Sequence, residues 1–157
     1  MYLEKSLHVL DTIFSFSVIF VIPCVFLFVI LFVFRKKFSL FYIFLISPFA
    51  LLIIIMTIFP YLARENISNV TKTEDFSITV SQGISIEKIK KSLTQLKYIN
   101  SKNSHPIGDK IYIQLTSPYM KKKLSIRADS NNIKIYWLYD EDFHFSQENN
   151  IGYLYLK

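Results

Sequence analysis

The decapeptide "YDEDFHFSQE", residues 139–148, holds the densest set of groups in this chain that could do chemistry. Carboxylates at Asp140, Asp142 and Glu148 and the imidazole of His144 are donor types that suit a divalent cation. On an extended backbone side chains alternate, so Asp140, Asp142 and His144 would project to one side. Their spacing matches no established metal motif, and a charged loop between two strands uses the same residues simply to stay solvated. The expectation is therefore no bound metal. A metal-dependent enzyme built on Asp140, Asp142 and His144 is the last of the alternatives.

Other routes to catalysis are closed more firmly. The three glycines, Gly83, Gly108 and Gly152, open no phosphate-cradling loop, and neither GxSxG nor HExxH occurs. The one cysteine, Cys24, sits inside an apolar run, which excludes an intramolecular disulfide, a CxxC pair and a cysteine-ligated metal. His8, His105 and His144 are far apart in sequence. No cofactor and no enzymatic activity are expected.

Aromatic residues are the more suggestive excess. Tyr112, Tyr136, Tyr153 and Tyr155 crowd the C-terminal half, beside Trp137. Tyrosine joins a broad apolar ring to a polar tip, and exposed aromatic faces are typical of binding surfaces. Which way these rings point depends on the strands that carry them.

Those strands can be read from alternation. "FSITVS" places Phe76, Ile78 and Val80 on one face, and "KIYIQLT" does the same with Ile111, Ile113 and Leu115. Between them Ser85 precedes "IEKIKKSLTQLKYI", where Ile86, Ile89, Leu93 and Leu96 make a helical stripe, and "HPIGD" reads as a turn. Leu124, Ile126 and Ala128 lead into an Asp129-Ser130-Asn131-Asn132 turn, from which Ile133, Ile135 and Trp137 return as the inward series. "IGYLYLK" supplies a last strand with Leu154 and Leu156 inward. On this parity Tyr112, Tyr136, Tyr153 and Tyr155 share the outward face as candidate partner-binding residues. Residues 76–157 are thus expected to form a small α+β domain in the order β-α-β-β-β, with a possible last β: an antiparallel sheet of four to five strands with one helix on its core face.

The first half of the chain has another character. Residues 12–34 and 38–63 contain no charged side chain and hold twelve of the fifteen phenylalanines. Crossing a hydrocarbon core of ~30 Å takes about 20 helical residues, so each run is long enough to be a transmembrane helix. The first run is too long for the h-region of a cleaved signal peptide and precedes no small-x-small site. Leu3, Leu7 and Leu10 continue helical spacing through the 1–11 tail. Pro23 and Pro48 invite kinks, but no polar lining suggests a transport path.

Between the runs stand Arg35, Lys36 and Lys37. Three cations in a tight turn stay in water while the flanking helices remain in lipid, and positive loops are retained in the cytoplasm. Residues 35–37 are accordingly expected inside and both termini outside, with 64–75 as a linker to an extracytoplasmic domain. The absence of disulfides fits the cytoplasmic (inner) membrane of a bacterium. Residues 64–157 carry fourteen Lys/Arg against ten Asp/Glu, a net +4. With "MKKKL" among them this is a weak basic field, better matched to anionic headgroups or a solvated hairpin edge than to nucleic acid.

The expectation from sequence is a two-pass membrane-anchored binding protein of accessory or immunity/inhibitor type, presenting its domain to a protein partner in the envelope. The alternative is a structural subunit of an envelope complex whose helices do the partnering.

Overall fold

A computed structural model describes residues 2–33, 39–72, 76–81, 83–96, 104–118 and 120–156. The chain forms α1 (Tyr2–Val33), α2 (Ser39–Lys72), β1 (Ser77–Val80), α3 (Ile86–Leu93), β2 (Pro106–Ser117), β3 (Met120–Asp129), β4 (Ile135–Asp140), α4 (His144–Glu148) and β5 (Gly152–Tyr155). It divides into two units, Met1–Phe59 and Pro60–Lys157. The Arg35-Lys36-Lys37 turn lies outside the described residues.

In the first unit, two helices are long and apolar enough to cross a membrane. Phe16, Ile19, Phe20, Ile22, Phe26 and Phe32 of α1, like Ile43, Phe44 and Ile53 of α2, are each more than half exposed. Four hydroxyls on these helices are satisfied within their own helix. Thr12 Oγ1 donates to the His8 carbonyl (2.8 Å), Ser15 Oγ to Asp11 (3.0 Å), Ser47 Oγ to Phe44 (2.8 Å) and Thr57 Oγ1 to Ile53 (2.9 Å). A hydroxyl bonded in this way needs no water. Pro23 lies within α1.

The apolar run ends at Ala63 but α2 does not: it continues to Lys72, through most of the segment read as a linker. Packing holds it. Ala63, Ile67 and Thr71 recur at four-residue spacing, one face of a helix, and all three are buried. Arg64 on the same segment donates to the carbonyl of Ile151, just before β5.

The second unit is built on a five-stranded antiparallel sheet in sequential order, β1-β2-β3-β4-β5. Cross-strand pairs fix its core face: Ile78 with Leu115, Val80 with Ile113, Ile113 with Leu124, Ile126 with Leu138, and Tyr136 with Leu154. Helix α3 lies against β1 and β5 and buries Ile89 and Leu93. Ile86, expected in the same stripe, is half exposed. "HPIGD" is less a turn than the start of β2, whose register shifts between Ile107 and Ile111. There Gly108 takes φ 72°, a left-handed conformation that only a residue without a Cβ adopts freely.

One parity differs from expectation. Had Asn132 closed the β3–β4 turn, Ile133 would oppose Ala128 and share its face. Instead the turn runs through Lys134. Asp129 Oδ1 accepts the N–H groups of Asn131 (2.8 Å) and Asn132 (3.0 Å), Asn132 Oδ1 accepts that of Lys134 (3.0 Å), and Ala128 pairs with Tyr136. The odd shift in register reverses every side chain of β4. Ile133 is exposed in the turn, Ile135 and Trp137 move to the outer face, and Tyr136 moves to the core face.

Candidate functional site

The face of the sheet opposite its core is organised in rows by strand register. Thr79, Gln114 and Lys123 form one row across β1–β3; Tyr112, Ser125 and Tyr139 form the next across β2–β4. Arg127, Trp137 and Tyr153 follow across β3–β5, and Ile135 with Tyr155 ends the face. Tyr112, Tyr153 and Tyr155 therefore share a surface, as their alternation suggests, but Tyr136 lies on the other side. The Tyr136 assignment fails because the β3–β4 turn is longer than its Asx-rich residues imply.

Exposure sorts the three that remain. Tyr112 is 54% exposed and Tyr155 42%, whereas Tyr153 is 7% exposed and belongs to the packed floor. The Tyr153 ring meets Trp137 edge to face at 5.1 Å and 68°. Trp137 is held in turn by Asp129, whose Oδ2 accepts the indole N–H at 2.8 Å. Burial acts to raise the Asp129 carboxyl. Hydrogen bonds from Trp137, Ser104 and the backbones of Asn131 and Asn132 outweigh it and hold the pKa below the usual carboxylate value. One buried side chain thus shapes the hairpin turn and orients the indole.

Beside Tyr112 the face is polar. The Lys110 ammonium lies 5.5 Å from the Tyr139 ring centre and 2.8 Å from Glu141 Oε1, which also accepts from Ser125 Oγ. Burial raises the Tyr139 phenol, with the Arg127 charge opposing, so the hydroxyl stays protonated at neutral pH. By strand spacing Tyr112 and Tyr155 stand roughly 14 Å apart across the sheet and roughly 13 Å apart along it. Both fit within one protein interface of ~800 Å² per partner.

The acidic cluster is not extended, and the structure separates its members. The chain turns at Glu141–Asp142 and enters α4, which starts at His144. Asp140 faces the core, fully buried, with Oδ2 2.8 Å from Lys122 Nζ, itself fully buried. The Lys122 ammonium also lies 4.4 Å from the Phe143 ring centre, and Ser146 Oγ accepts the Asp140 N–H at 2.6 Å. Burial drives the Asp140 carboxyl above its ordinary pKa, and Lys122 holds it back only in part. Asp142 instead accepts the Lys123 N–H at 3.1 Å, and His144 and Glu148 are exposed. Among the described residues no group of three His, Cys, Asp or Glu could hold a metal ion.

Lys122 is the residue that the lysine triplet concealed. Its neighbours Lys121 and Lys123 are exposed, as a solvated edge requires, but Lys122 shares strand parity with the buried Leu124 and Ile126. That parity was the available signal.

Helices finish the outer edge of β5. Arg64 of α2 binds the Ile151 carbonyl, and Ser92 Oγ of α3 accepts the Tyr155 N–H at 2.8 Å. An edge so occupied is less open to pairing with another strand. Comparison with protein-family models, curated proteins and solved structures finds no match for this chain, so the reading rests on the residues themselves.

Proposed function

We propose that this chain is a two-pass membrane-anchored binding protein that presents the outer face of its sheet to a protein partner. One observation carries the reading: two exposed tyrosines, Tyr112 and Tyr155, frame a face whose floor of Trp137, Tyr139 and Tyr153 is already packed. Rigid aromatic contacts on strands lose little conformational freedom when a partner covers them. Apolar side chains exposed around α1 and the first part of α2, with hydroxyls bonded to their own helices, support lipid as the solvent of that region.

In this reading Arg35, Lys36 and Lys37 face the cytoplasm, and both termini and the domain lie outside a bacterial cytoplasmic membrane. The last turns of α2, from Pro60 to Lys72, belong to the second unit. Alkaline phosphatase fused after Lys157 tests the topology: activity is expected. A silent fusion, with activity from a reporter that works only in the cytoplasm, overturns the orientation. Replacing Arg35, Lys36 and Lys37 with Asn should mix the two orientations.

A further inference from the structure

We infer that the Tyr112 corner of the sheet binds a neutral, hydroxyl-rich ligand of the oligosaccharide class. This goes beyond the protein-partner reading and does not rest on it. A depression of about 590 Å³ opens there, lined by Thr79, Ser81, Tyr112, Gln114, Lys123 and Glu141 with the strand backbone beneath. Its size falls within the ~300–1,000 Å³ typical of small-molecule sites.

Its chemistry selects the ligand. Two ammoniums, Lys110 and Lys123, balance two carboxylates, Glu141 and Asp142, at this corner, so neither an anion nor a cation is favoured. The Gln114 amide and the Thr79 and Ser81 hydroxyls both donate and accept, which suits groups that do the same, as sugar hydroxyls do. The exposed Tyr112 ring gives a flat apolar plate for a sugar ring.

The site is also built in advance. Ser81 Oγ accepts the Tyr112 N–H at 3.1 Å, which leaves its own proton to donate. Glu141 is fixed by Lys110 at 2.8 Å, and its N–H donates to the Lys123 carbonyl at 2.8 Å. Thr79, Gln114 and Lys123 stand in one cross-strand row. The rival ligand is an extended peptide, which would use the backbone of the edge strand β1 rather than the side-chain hydroxyls and amide, so a peptide control belongs in the test.

The test uses full-length protein in amine-oxide micelles, since a maltoside detergent would compete. Chitotetraose, maltotetraose and, as a peptide control, tetra-alanine are titrated while backbone amide resonances are followed. At least one saccharide should saturate with Kd of about 0.1–1 mM, shifting Thr79, Gln114 and Lys123. Tyr112→Ala and Gln114→Ala should each weaken binding about tenfold, and Tyr155→Ala, at the far corner, should not. Trp137 emission reports that each variant is folded, and Thr79→Ala replaces any that is not. Failure of both saccharides to saturate by about 10 mM overturns the inference. So does saturation by tetra-alanine alone, or binding that survives both Tyr112→Ala and Gln114→Ala.

Discussion

Replacing Lys122 with Met leaves the Asp140 carboxyl buried without its counter-charge. Both side chains are fully inaccessible, so solvent does not screen the pair. Breaking such a pair from one side costs about 3–5 kcal/mol. For a unit of roughly 100 residues each kcal/mol moves Tm by about 4–8 °C, so even 3 kcal/mol lowers it by about 12–24 °C. Part of the loss is recoverable, because a carboxyl already displaced upward can take a proton. The sign follows from that displacement. A folded pKa above the unfolded value means the fold holds the proton more tightly, so Lys122→Met gains stability as pH falls through the folded pKa. The gain is complete below the unfolded value near ~3.9. Asp140→Asn alone strands the Lys122 ammonium against the Phe143 ring and shows no such recovery. The double variant Lys122→Met/Asp140→Asn should regain more than half the loss, since the amide oxygen can still accept the Asp142 N–H. Urea unfolding followed by the single tryptophan, Trp137, measures all of these. A Lys122→Met protein within about 1 kcal/mol of wild type, with an unchanged pH profile, would refute the buried pair. The parity of β3 and β4 would fall with it.

Two further outcomes follow from the outer face. Tyr153→Ala should cost about 3 kcal/mol by opening the packed floor against Trp137, whereas Tyr155→Ala should stay within about 0.5 kcal/mol, both read by urea denaturation. Asp129 has its pKa depressed in the fold, so its contribution is complete above ~3.9 and is lost as pH falls through the folded value. The stability gap between wild type and Asp129→Asn should therefore close on acidification below about pH 4, and a gap constant with pH would contradict the assigned hydrogen bonds.

Alternation made most of the sheet readable. Ile78, Ile113, Leu115, Leu124, Ile126 and Leu154 are buried as their spacing requires, because a strand with one wet face repeats every two residues. The two long helices are readable for a simpler reason: no polar face interrupts them. What escaped were the places where one or two residues decide a direction. Asp129 and Asn132 stretch the β3–β4 turn with side-chain hydrogen bonds, and nothing in the bare pattern separates a four-residue turn from the longer one. That difference moved Tyr136 to the core face and placed Asp140 there too, out of reach of any ligand set with His144. The polar residues after Ala63 hid a helical face of Ala63, Ile67 and Thr71, since Arg64, Glu65 and Asn66 read as linker. Of the candidate face, Tyr112 and Tyr155 were legible, while the burial of Tyr153 depends on Trp137, whose own orientation depends on that turn.

Site-specific photo-crosslinking in living cells tests the binding face most directly. A benzophenone side chain is placed in turn at Tyr112, Tyr155, Lys88 on the exposed side of α3, and Phe26 in α1. The account predicts that Tyr112 and Tyr155 give an adduct with the same protein and that Lys88 and Phe26 do not. Adducts from Phe26 with none from either tyrosine would contradict it and assign the partnering to the helices.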